Sequence, residues 1–177
     1  MKTYLELNIP LSSDSIWYKD LLYNCRNVPV RWQKGSWHVT IAFLDETPDP
    51  TKAAQIITEA LSGVKAWEFV LDTIDVFTTG SGKGHIINLT ASDAPEEFMK
   101  FVRKVRGALS EGGCRIQSGF RLHITLGRVN AYDISFDQLR RAVESAPHPN
   151  IRMTPVNMDL LTFPDHRLIR KWTLPKI

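Results

Sequence analysis

Two stretches of this 177-residue chain carry a histidine in the middle of alternating apolar residues: GSWHVTIAFLDE at 35–46 and GFRLHITLGRV at 119–129. In each, a threonine follows two positions later, giving His38 with Thr40 and His123 with Thr125. Side chains alternate across a strand, so residues i and i+2 share a face. Trp37, Val39, Ile41 and Phe43 therefore fall together in the first stretch, and Leu122, Ile124 and Leu126 in the second. Both sets belong in a core. The opposite faces present His, Thr and a small residue, Ala42 or Gly127, which leaves room for close approach to the strand.

Histidine has an ordinary pKa of about 6.5 and works as acid or base near neutrality. Two imidazoles at one site can divide the labour: one takes a proton from the nucleophile, the other protonates the leaving oxygen. Threonine hydroxyls beside them suit the non-bridging oxygens of a phosphate, where charge builds in the transition state. The set fits phosphodiester cleavage or transfer without a metal. A lone strand histidine is ordinarily a surface or satisfied polar residue; repetition of the whole pattern separates this pair from that background. As metal ligands the two histidines lack a third partner at a matching place, since Asp45 and Glu46 have no counterpart after the second stretch. There is no His-Glu-x-x-His and no P-loop, and Cys25 and Cys114 form no Cys-x-x-Cys pair. We expect neither metal nor cofactor, and two reduced thiols.

The elements that must position these residues read as follows. TYLELNIPL alternates up to Pro10 and predicts a strand; SSDSIWYKDLLYNC and TPDPTKAAQIITEALSGV predict helices. Alternation on both sides of TGSGKG predicts a hairpin. APEEFMKFVRKVRGALSEGG carries Phe98, Phe101, Val102, Val105 and Leu109 on one stripe before two glycines, a clear helix. SFDQLRRAVESAP predicts a fourth helix, and the tail two or three strands. The resulting order, β-α-β-α-ββ-α-β-α-ββ, predicts an α+β fold with mainly antiparallel sheet and one domain over 1–177. Each half carries a strand, a helix and a His-x-Thr strand. Composition is that of a globular chain, 43% hydrophobic and 23% charged. The N-terminus breaks at Pro10 and carries Glu6, unlike a signal peptide, so we expect a cytoplasmic monomer with no membrane association. The net charge of +3 suits a polyanionic partner without demanding one. Arg103, Lys104 and Arg106 are explained by a solvated helix face as well as by RNA.

The pair HVTIAFL and HITLGRV resembles the motifs of the 2H phosphoesterases, and among these the 2′-5′ RNA ligase-like, or RNA 2′,3′-cyclic phosphodiesterase, branch. The likeness extends to YLELNIPL, VRWQKGSWHVTIAFLDE and FRLHITLGR, and departs at Asp45 and in DLLTFPDHRLIRKW. It implies a bilobal fold of two pseudo-symmetric antiparallel sheets, helices outside, with the motifs facing across a central cleft. It also implies metal-independent opening of a 2′,3′-cyclic phosphate on an RNA 3′ end or a nucleotide, usually to a 2′-phosphate. His38 and His123 would be the acid–base pair and Thr40 and Thr125 the phosphate donors. Alternatives are action on 2′-5′ linkages, or an RNA-end or nucleotide-binding module without turnover. Arg128 follows the second motif where relatives often carry a basic residue, yet strict alternation puts it on the core face. Trp37 and Phe120 flank the motifs and are candidates for stacking on a base. By alternation Trp37 belongs to the core. His85, His148 and His166 match no motif and read as loop or turn residues.

Overall fold

The computed structural model describes residues 1–177. The chain runs β1 (Lys2–Ile9), α1 (Ile16–Asn24), β2 (Arg31–Trp32), β3 (Trp37–Glu46), α2 (Pro50–Ala60), β4 (Phe69–Leu71), β5 (Thr73–Thr78) and β6 (Gly84–Thr90). It continues α3 (Glu96–Glu111), β7 (Arg115–Ile116), β8 (Ile124–Asn130), α4 (Phe136–Glu144), β9 (Ile151–Met153), β10 (Asn157–Phe163) and β11 (Leu168–Thr173). Two of the four helices, α2 and α4, start at a side-chain cap. The Asp49 carboxylate accepts from the N–H groups of Thr51 and Lys52 ahead of α2, and Ser135 with Gln138 closes a capping box on α4. The stripe expected for α3 is buried.

Every strand pairing is antiparallel, and the class is α+β as expected. One half-sheet runs β11-β10-β1-β3 and the other β8-β6-β5; they meet at a single register pair, Val39 with Ile124. The unit β1-α1-β2-β3-α2 recurs as β6-α3-β7-β8-α4, with β10 lying on β1 as β5 lies on β6. The two short strands cross over: β2 pairs with β8, and β7 with β3. The strands expose a further repeat, Arg31-Trp32-Gln33-Lys34-Gly35 against Arg115-Ile116-Gln117-Ser118-Gly119. Both glycines are left-handed, φ 91° at Gly35 and 76° at Gly119, a conformation glycine adopts without a Cβ penalty.

Matching irregularities change the phase of both histidine strands. Leu5 pairs with Ala42 but Glu6 with Thr40, leaving Ile41 as an extra residue in β3. Ile87 pairs with Gly127 but Asn88 with Thr125, leaving Leu126 extra in β8. A β-bulge of this kind turns the residues beyond it to the other face. Phe43 and Arg128, which strict alternation assigns to the core, therefore join His and Thr on the cleft side. The carbonyls of the extra residues find donors: Arg106 Nη1 donates to Ile41 at 3.1 Å, and the Gln33 N–H donates to Leu126 at 2.8 Å. Arg106, grouped with exposed cations on sequence grounds, is thus a brace for β3.

The small residues need a second correction. Ala42 and Gly127 lie beyond the bulges and face the packed interior. A Cβ on Gly127 would sit 2.6 Å from Val30 Cγ1 and 3.0 Å from the Trp32 ring, so the close approach is made by the chain's own segment around β2. Gly127→Ala should destabilise the fold by roughly 1–3 kcal/mol through overpacking, measured by urea unfolding.

Candidate active site

The Val39–Ile124 pair puts the two motifs side by side. His38 and Thr40 flank Val39, and His123 and Thr125 flank Ile124, so all four side chains are brought to one place on the cleft side. All four line one cleft of 310 Å³ together with Tyr4, Phe43, Arg128, Phe163 and His166. A larger groove of 700 Å³ lies elsewhere, against α2 and α3, lined by mixed Lys and Glu with no histidine.

Behind His38 stands a residue that alternation alone did not single out. Glu6 Oε2 lies 3.1 Å from His38 Nδ1, and Glu6 is only 5% exposed. It pairs across the sheet with Asp159, itself buried, whose Oδ2 accepts from Asn8 Nδ2 at 2.8 Å. Asp159 Oδ1 has no hydrogen-bond donor, and Lys171 Nζ is 3.6 Å away. Burial, then the Asp159 charge, pushes the Glu6 carboxyl up to about 7, with Lys171 opposing. Burial foremost, then the positive form of His123, pulls His38 down to about 4. Both directions disfavour separated charges, so the 3.1 Å contact is a carboxyl and an imidazole competing for one proton, not a fixed ion pair. The sequence signal was faint: an acidic residue in phase with Tyr4 and Asn8, opposite Leu5, Leu7 and Ile9.

The second half lacks this carboxyl. Glu6 pairs with Thr40, and in the equivalent place Asn88 pairs with Thr125. His123 Nδ1 instead lies 2.9 Å from the Arg121 carbonyl oxygen. A carbonyl only accepts, so Nδ1 carries the hydrogen, and in the neutral ring Nε2 presents a lone pair. Burial, chiefly, holds the His123 pKa below the ordinary histidine value, with that carbonyl opposing.

The two ends of the cleft differ. Phe43 and Arg128 occupy equivalent places beyond their bulges, one aromatic and one cationic. Around Phe43, Tyr4 stacks at 6.3 Å and Phe163 packs edge-on at 5.2 Å. The Tyr4 hydroxyl is 2.8 Å from His166 Nδ1, so His166, read as a turn residue, belongs to the cleft mouth, held at φ 52°. Trp37 lines the cleft as well, only 5% exposed and with its ring edge-on to Tyr18. Phe120 lines a small neighbouring pocket that reaches Thr40, Phe43 and His123. His148 is a loop residue whose Nδ1 accepts the Ile74 N–H. His85 is a buried strand residue bonded to Thr78, not the solvated loop residue expected.

The fold is shared by several solved proteins. E. coli LigT complexed with 3′-AMP superposes with a TM-score of 0.63 at 16% identity, covering 98% of this chain and 96% of that one. Kluyveromyces marxianus Usb1 with uridine monophosphate gives 0.68 at 14%, covering 98% and 97%. The MHV ns2 PDE domain gives 0.53 at 15%, covering 86% and 90%. No curated protein matches the sequence significantly. The family model of the 2′-5′ RNA ligase superfamily matches residues 27–167, a span holding both His-x-Thr strands. The chain belongs to that superfamily, the 2H phosphoesterases.

Proposed function

We propose that the protein is a metal-independent phosphodiesterase that opens a terminal 2′,3′-cyclic phosphate of RNA or a nucleotide to a 2′-phosphate. The observation that carries this reading is the convergence of both His-x-Thr pairs on one cleft. Superfamily membership supports it, as do the nucleotides held by proteins of the same fold, 3′-AMP in LigT and uridine monophosphate in Usb1.

The Glu6 carboxyl beside His38 alone favours one division of the roles. His123 Nε2, unprotonated while its Nδ1 is tied to the Arg121 carbonyl, takes a proton from water as the water oxygen attacks phosphorus. The bond from phosphorus to O3′ breaks, and O3′ takes a proton from the other nitrogen of the His38 ring, while the proton shared with Glu6 moves onto Nδ1. An approaching phosphate anion favours the imidazolium form of His38 and draws that proton onto the ring. Thr40 and Thr125 donate to the non-bridging oxygens, with Arg128 beside them adding positive charge. The protein acts alone, in the cytoplasm, on a substrate end that enters the open cleft.

His38→Ala and His123→Ala should each lower the rate at least ~100-fold, the ordinary share of a general acid or base, and wild-type turnover should survive EDTA. Wild-type-like turnover in His123→Ala would reject the reading. Tight binding of a nucleotide 2′-phosphate with no product from any cyclic substrate would identify a binding module, and cleavage confined to 2′-5′ dinucleotides would move the activity to that linkage.

The rate should be bell-shaped in pH. It falls on the acid side, below the ordinary histidine pKa, as His123 gains a proton. It falls on the alkaline side near pH 7 as the Glu6–His38 pair loses its proton. Glu6→Gln should lower kcat roughly 10- to 100-fold with KM little changed, and displace only the alkaline limb.

The same substitution tests the burial of Glu6. Its folded pKa of about 7 exceeds the ordinary 4.5, so its contribution to stability is lost as pH rises from 4.5 through 7. His38, at about 4 against 6.5, acts oppositely, gaining stability as pH rises from 4 to 6.5. Glu6→Gln removes the carboxyl's dependence and should be more stable than wild type at pH 8, read by denaturant titration.

A further inference from the structure

At the Arg128 end of the cleft lies a second depression of 230 Å³, lined by Arg31, Thr79, Lys83, His85 and Arg128, with no carboxylate among its lining residues. Arg128 lines both hollows and so sets them side by side. Arg31 and Arg128 pair directly across β2 and β8, an arrangement of like charges that is unfavourable unless something neutralises it. On the other side of the pseudo-symmetric sheet the arginine of β7, Arg115, pairs across from Glu46 instead. Arg31, Lys83 and Arg128 are all exposed, and none has an acidic side chain within ion-pair distance. Three unpartnered cations around a hollow beside the histidine cleft match a second anion.

We propose that this depression binds a phosphate carried on the 5′ oxygen of the terminal nucleoside. The inference rests on the phosphodiesterase reading for the position of the cyclic phosphate between the histidines. With the 2′,3′ edge of the ribose held there, the base and the 5′ oxygen leave the sugar from opposite ends. The aromatic end, Phe43 with Tyr4 and Phe163, suits the base, and the cationic end suits the 5′-phosphate. That phosphate is either the monoester of a free nucleotide or the internucleotide diester of an RNA chain; the depression recognises the chemistry they share.

The test is equilibrium binding to the intact protein at low salt by calorimetry, comparing adenosine 2′-monophosphate, adenosine 2′,5′-bisphosphate and a diadenylate ending in a 2′-phosphate. Wild type should bind the bisphosphate about tenfold or more tightly than the monophosphate, with the advantage shrinking as salt rises. The diadenylate should share the advantage if the diester of a chain is the ligand, and lack it if only a free monoester fits. Arg31→Ala with Lys83→Ala should remove the advantage and leave monophosphate binding and turnover of adenosine 2′,3′-cyclic phosphate unchanged. Equal binding of all three ligands by wild type, or an advantage that survives the double substitution, overturns the proposal. A bisphosphate advantage that depends on Arg31 and Lys83, in a protein that turns over no cyclic phosphate, keeps the subsite and rejects the catalytic reading instead.

Discussion

The chemistry of this chain depends on one point of backbone contact, the antiparallel pairing of Val39 with Ile124. Each half-sheet brings its own His-x-Thr strand to that seam, and the pairing keeps both polar sets on the cleft side. A slip of one residue in either strand would turn its histidine to the other face. Register is held by buried neighbours on either side: Val39 and Ile124 themselves, with Ile41 and Leu126, are essentially inaccessible to water. The polar set is therefore located by the apolar set behind it.

Duplication supplies the two imidazoles, and departures from duplication give them different surroundings. Glu6 stands behind one histidine where Asn88 stands in the other half; Phe43 occupies one shoulder of the cleft where Arg128 occupies the other. The first difference sets one imidazole against a buried carboxyl and the other against a backbone carbonyl. The second gives the groove an aromatic end and a charged end, hence a direction. Both cost stability locally, since a buried carboxyl and opposed arginines are poor for folding, which is usual where a fold is bent to a task.

Much of this was legible beforehand in the residues that obey period. The apolar stripe of α3 and its glycine stop, the turn at TGSGKG, and the alternation around His38 and His123 all follow from local rules, and the repetition of His-x-Thr carried the chemistry. What escaped has a common cause. A bulge exists in the pairing of two strands and leaves no mark in either sequence, so Phe43 and Arg128 were assigned the wrong face. Two-residue strands such as β2 and β7 are too short to show a period. Glu6 gains its importance from Asp159 across the sheet, and His166 from Tyr4 far away in the chain. Neither neighbour is visible from local pattern. Gly127 was rightly marked as a place of close approach, but what approaches is Val30 and Trp32.

The exchange of β2 and β7 between the halves has a mechanical consequence. Each short strand is covalently part of one lobe and hydrogen-bonded into the other, so the lobes are interlocked on both sides of a seam that would otherwise be a natural hinge. Swinging one lobe away would break ladder bonds at two separate places at once. Any widening of the gape therefore carries the cost of both short ladders.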